Sequence, residues 1–86
     1  MASRAIRASK LIPGSIFRHY KNKLYLIEGQ AVHTETLEEM VVYRALYKTS
    51  EDSKFKNFQL WTRPKEMFLE SVEVNGKLVP RFEFVE

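Results

Sequence analysis

Seven consecutive residues near the middle of the chain, Val41-Val42-Tyr43-Arg44-Ala45-Leu46-Tyr47, restrict the possible folds more than any other feature. They form the densest run of β-branched and aromatic side chains in the sequence, the composition that suits a pleated, packed surface. Strand alternation puts Val41, Tyr43, Ala45 and Tyr47 on one face and Val42, Arg44 and Leu46 on the other. One face is wholly apolar or aromatic; the other is apolar except for one arginine. This pattern predicts a central strand covered on both sides.

The flanking sequence supplies more strands and the turns between them. Pro13-Gly14 is a turn signal that opens the domain. Residues 15–20 and 23–33 read as two strands joined at Lys21-Asn22, since asparagine tolerates the positive φ of a two-residue hairpin loop. Gly29 lies inside the second of these and predicts a bulge. The central strand spans 38–47, a polar loop 48–57, and a fourth strand 58–63, with Phe58 and Leu60 expected inward and Trp61 and Arg63 outward. Pro64 ends that ladder, and 64–68 fits one helical turn with proline at its start. Asn75-Gly76 between the apolar runs 71–74 and 77–85 is a strong hairpin signal. The expected core holds Tyr25, Ile27, Val41, Tyr43, Leu60 and Phe82. The fold class is therefore all-β, a small, strongly bent sheet or SH3-like barrel of five to six strands with at most one short helical turn. Closure would hide apolar groups on both faces and remove the exposed edges.

Length and charge narrow the function classes. A chain of 86 residues makes one domain. Having no cysteine, it offers no disulfide, thiolate nucleophile or cysteine-based zinc site, and a cytoplasmic location is expected. No apolar run reaches the ~18 residues of a membrane-spanning helix, so no membrane partner is expected. The net charge of +3 comes from Arg4, Arg7 and Lys10, because the other basic and acidic side chains balance. Residues 1–12 thus read as a flexible basic arm, dispensable for folding, on a neutral domain of residues 13–86.

Five segments, Arg18-His19-Tyr20-Lys21, His33-Thr34-Glu35-Thr36, the central run 41–47, Leu60-Trp61-Thr62-Arg63-Pro64-Lys65-Glu66-Met67-Phe68 and Val79-Pro80-Arg81-Phe82, resemble in order and spacing the short bacterial proteins of domain-of-unknown-function family sixteen fifty-three. The resemblance spans residues 13–84 and implies a compact, mostly β, single-domain bacterial protein without implying an activity. Asn22 stands where the family commonly has glycine, and the loop 48–57 is longer than in many members.

Few residue sets carry chemistry. His19, His33 and Glu35 match no tight metal-ligand spacing, so no metal and no cofactor are expected. The three glycines, at 14, 29 and 76, form no phosphate loop, and no spacing places a base beside a serine or threonine, so no catalytic residue is assigned. The candidate binding residues are Trp61, Arg63, Arg44, Arg18, His19 and His33. An arginine within a strand is costly unless paired or functional, and its planar fork suits phosphate and carboxylate. Arg44 is expected to form a structural ion pair, with a binding role for Arg63 and Trp61. The expected function is a non-enzymatic binding module for a protein or peptide. The alternatives are a small-ligand, anion or nucleotide site, or enzyme, built on the Arg/Trp/His cluster, and weak nucleic-acid binding through the basic arm.

Overall fold

The computed structural model describes residues 3–47 and 57–86. Within them lie helix α1 (Arg4–Ser9), strands β1 (Ile16–His19), β2 (Lys23–Val32), β3 (Glu39–Ala45) and β4 (Leu60–Pro64), helix α2 (Lys65–Phe68), and strands β5 (Ser71–Val74), β6 (Lys77–Pro80) and β7 (Phe82–Phe84). One antiparallel sheet has the order β4-β3-β2-β1-β7, and β5 with β6 forms a separate two-stranded sheet. The polar loop expected at 48–57 lies, for residues 48–56, outside the described residues.

Local chemistry explains the turns. Asn22, at φ 66°, makes the tight β1–β2 connection, which asparagine accommodates better than most residues. Asn75 and Gly76 have φ of 51° and 79°, the two positive values that a twist-matched hairpin turn requires. A register shift between Ile27 and Gly29 marks the expected bulge. The β2–β3 connection is closed by side chain as well as backbone. The Nδ1 atom of His33 accepts from the backbone N–H groups of Glu35 (3.1 Å) and Thr36 (3.2 Å), while the Leu37 N–H donates to the His33 carbonyl at 2.8 Å.

The core lies on one face of the large sheet, here called the inner face. Leu11, Phe17, Ile27, Val41, Tyr43, Phe68, Leu69 and Phe82 make one buried cluster. Phe68, projecting from α2, stacks on Phe82 with centroids 4.0 Å apart and meets Phe17 and Tyr43 edge-on. Such aromatic pairs each add about 0.5–1.5 kcal/mol beyond the area they bury.

The fold is mostly β, as the sequence indicates, but four expectations are corrected. The sheet is not closed into a barrel, because helices and not further strands cover the inner face; the outer face stays partly open. The chain has seven strands because the run 77–85 breaks at Arg81, whose N–H donates to the Glu70 carbonyl at 2.9 Å. The fourth strand faces the opposite way from the sequence reading: Tyr43 pairs with Trp61 and Val41 with Arg63, so Leu60 is left 42% exposed. Finally, the segment read as a basic arm contains a docked helix. The Ser3 hydroxyl accepts from the Ile6 N–H, Leu11 enters the core, and Arg7 is 4% exposed.

Candidate functional site

Antiparallel register assembles an aromatic surface on the inner face, beside the core. Phe17 lies opposite Tyr25, His19 opposite Phe82, Ile27 opposite Tyr43, and Tyr43 opposite Trp61. Tyr43 and Phe82 form the buried floor. Tyr25, Tyr47, Trp61, Arg63 and His19 are half-buried and form the rim.

Three interactions hold this rim. The Tyr25 and Tyr47 hydroxyls share a hydrogen bond of 2.8 Å. Burial, followed by that bond, pushes the Tyr25 phenol well above its ordinary range, so it stays neutral. Lys23 places its ammonium 5.0 Å from the centre of the Tyr47 ring, and Arg63 places its guanidinium 5.6 Å from that of Phe82. Both contacts are within cation–π range. Arg63 has no carboxylate partner among the described residues.

His19 completes the set. Its ring lies 4.9 Å from Phe82, and its Nδ1 accepts from the Lys21 N–H at 3.1 Å. That bond leaves the second ring nitrogen to carry the proton of the neutral imidazole. Burial lowers the His19 pKa, and the nearby charges of Arg63, Arg81 and Lys21 lower it further. These three nearby charges are all positive.

The six residues singled out from the sequence do not converge. Trp61, Arg63 and His19 share the inner face. Arg44 lies on the outer face, where it pairs with Glu28 at 2.7 Å and donates to the Phe58 carbonyl at 3.1 Å. β3 and β4 do pair, but register puts Tyr43 opposite Trp61, so Arg44 cannot flank the indole. Arg18 is exposed and lies across from Leu24 and Glu83. His33 closes the β2–β3 turn. Tyr25, Tyr47 and Phe82 belong to the surface although sequence reasoning gave them no binding role. Their signal, aromatics spaced in steps of two along strands, is shared with ordinary core residues.

Among the described residues no group of three or more His, Asp or Glu side chains could hold a metal ion. No helix of the described residues is long and apolar enough to cross a membrane.

A cleft of about 450 Å³ opens beside the aromatic surface, between the β1–β2 turn and the β5–β6 hairpin. His19 lines it together with Arg18 and Tyr20 from the end of β1.

A search of curated proteins found no match. The crystal structure of a DUF1653 protein from Bordetella bronchiseptica is similar to this chain, with a TM-score of 0.70 and 36% sequence identity over 85% of each chain. The sequence model of the family described as "Protein of unknown function (DUF1653)" matches residues 15–84, from the start of β1 through β7 and thus every strand of both sheets. The chain belongs to the DUF1653 family.

Proposed function

We propose that this domain is a non-enzymatic binding module that takes a segment of another polypeptide on the aromatic rim of the inner face. The observation that carries the reading is Arg63, a half-buried guanidinium over the Phe82 ring with no acidic partner among the described residues. Among the described residues that cation lacks a counter-charge, which a bound peptide could supply, and the planar fork matches a carboxylate. Trp61 and Tyr25 beside it offer flat apolar area, the residue types that anchor interfaces. The preferred segment therefore carries an acidic side chain next to an aromatic or aliphatic one.

His19 supports binding over catalysis. A general base gains from a nearby carboxylate that orients it and stabilises its charged form. Here burial first, and then the nearby cations Arg63, Arg81 and Lys21, hold the imidazole neutral and weakly basic. The arm-based nucleic-acid reading loses support for a similar reason. Arg4 pairs with Glu66, Arg7 is buried, and Lys10 lies over the Phe84 ring.

The sequence has a single tryptophan, so Trp61 reports binding at this surface through its own fluorescence. Titration with a library of short peptides pairing Glu or Asp with Phe, Tyr or Leu is expected to give a saturable change. Arg63→Ala is expected to weaken binding at least about tenfold, equivalent to roughly 1.4 kcal/mol, without moving the melting temperature. Equal binding by wild type and Arg63→Ala, or no saturable change with any acidic peptide, overturns the reading.

A further inference from the structure

The cleft beside the β1–β2 turn has a composition distinct from the inner face. Its charged lining consists of Arg18, Lys77 and Glu83. With His19 neutral, the formal sum is +1. Arg18 and Glu83 face each other across β1 and β7, yet no ion pair joins them, and neither Arg18 nor Lys77 has a carboxylate partner among the described residues. Glu83 offsets one of the two cations that line the cleft, and an anion held between Arg18 and Lys77 balances the remaining positive charge. The rest of the lining is of two kinds. Tyr20, Val79 and Pro80 supply apolar lining, while Asn22 and Asn75, from facing turns, carry side-chain amides. Each amide can both donate and accept, which suits the edge of a hetero-ring. The volume of about 450 Å³ lies in the lower part of the roughly 300–1,000 Å³ range of small-molecule pockets. It is too small for a folded partner.

We infer that this cleft is a second, small-molecule site, and that its ligand is a flat aromatic or heteroaromatic monoanion held by Arg18 and Lys77. The carboxylate lies between the guanidinium and the ammonium, the ring lies against Tyr20 and Pro80, and the Asn22 and Asn75 amides reach the ring edge. One negative charge neutralises the cleft, whereas a dianion leaves an excess beside Glu83. This site is independent of the peptide-binding reading, because it uses neither Arg63 nor Trp61.

The test is an NMR titration of the isotope-labelled full chain with nicotinate and orotate as flat monoanions. Nicotinamide serves as the neutral match to nicotinate, and inorganic phosphate as an anion without a ring. Saturable shifts are expected at the Asn22 and Asn75 side-chain amides and at Gly76. Arg18→Ala and Lys77→Ala are each expected to weaken nicotinate at least about tenfold. Arg63→Ala is expected to leave the affinity unchanged, which separates this site from the inner face. Val79→Trp, which fills the cleft from its apolar wall, is expected to abolish the shifts. Melting curves of all four variants check that each is folded. The inference is overturned if nicotinamide or phosphate binds as tightly as nicotinate, or if Arg18→Ala and Lys77→Ala both retain full affinity. It is equally overturned if no probe saturates below about 10 mM.

Discussion

His19 and Arg44 show how differently two strand residues behave once their surroundings are known. His19 titrates below its ordinary value because it is half-buried and lies near three cations. As pH falls, the unfolded chain therefore takes up this proton before the folded one does. Stability declines from about pH 6.5 downward, and the His19 contribution levels off once the folded imidazole is also protonated. His19→Gln, which keeps an acceptor for the Lys21 N–H, is expected to flatten the urea midpoint between about pH 7 and 5.5. An unchanged slope would assign the acid sensitivity elsewhere. Arg44 makes the structural ion pair that its strand position predicts. Its pair with Glu28 has side chains 40% and 36% exposed, and solvent screens such a pair. Arg44→Ala should cost about 0.5–1 kcal/mol in chemical denaturation. Tyr43 differs again: it is buried, with edge-on contacts to Tyr25, Phe68 and Phe82. Its truncation to alanine should cost about 3–5 kcal/mol. A loss below about 1 kcal/mol would contradict the central place of β3.

Among the elements, α1 departs furthest from its sequence reading. Six residues are too few to hold a helix in isolation, so docking must stabilise it. The buried docking contact is Arg7, which donates through Nη1 to the Leu69 carbonyl at 3.3 Å and the Phe82 carbonyl at 3.4 Å, while Arg4 pairs with Glu66 at the surface. Burial lowers the Arg7 pKa, the nearby Arg4 adds to that effect, and the Arg7 Nε finds no partner. Deleting residues 1–9 should therefore lower the melting temperature, because it removes Arg7 and loosens Leu11. Arg7→Ala alone should cost about 1–3 kcal/mol, because the Phe82 carbonyl loses this donor, whereas the Leu69 carbonyl retains the Arg4 guanidinium at 3.4 Å. A truncated chain as stable as the full one would make α1 an ornament on the family fold, whose match begins only at residue 15.

Over the whole molecule, the sheet stays open and does not close into a barrel, the other form the sequence allowed. Its edges, β4 with five residues ending in Pro64 and β7 with three, are short, which limits pairing with another chain. The inner face needs no closure because α2, Leu11 and Arg7 cover it, and a sheet tolerates partly exposed leucines on its outer face. A single cluster joins both helices to the large sheet, so unfolding should be one cooperative transition. Trp61 fluorescence and far-ultraviolet circular dichroism are expected to give coincident urea curves. Separate midpoints would show that the β5–β6 hairpin melts on its own.

The features legible in the sequence are those set by local chemistry. The turns at Asn22 and Asn75-Gly76, the bulge at Gly29, the stop at Pro64 and the inward face of β3 depend on residues adjacent in the chain or two apart. Trp61 and Arg63 could be named as candidates, but their side of the sheet could not. Phe58 and Leu60 together outweigh Trp61 when apolar residues are counted, yet Phe58 lies outside the strand at φ 56°. Only the register against Tyr43 turns the indole inward. Arg7 is the sharper case, since a sequence reader places arginine in water, and the two carbonyls that hold it lie 62 and 75 residues away. The cleft, too, joins turns from opposite ends of the domain. Alternation and turn propensity are local, whereas facing, burial and convergence depend on partners distant in sequence, and those the tertiary structure alone supplied.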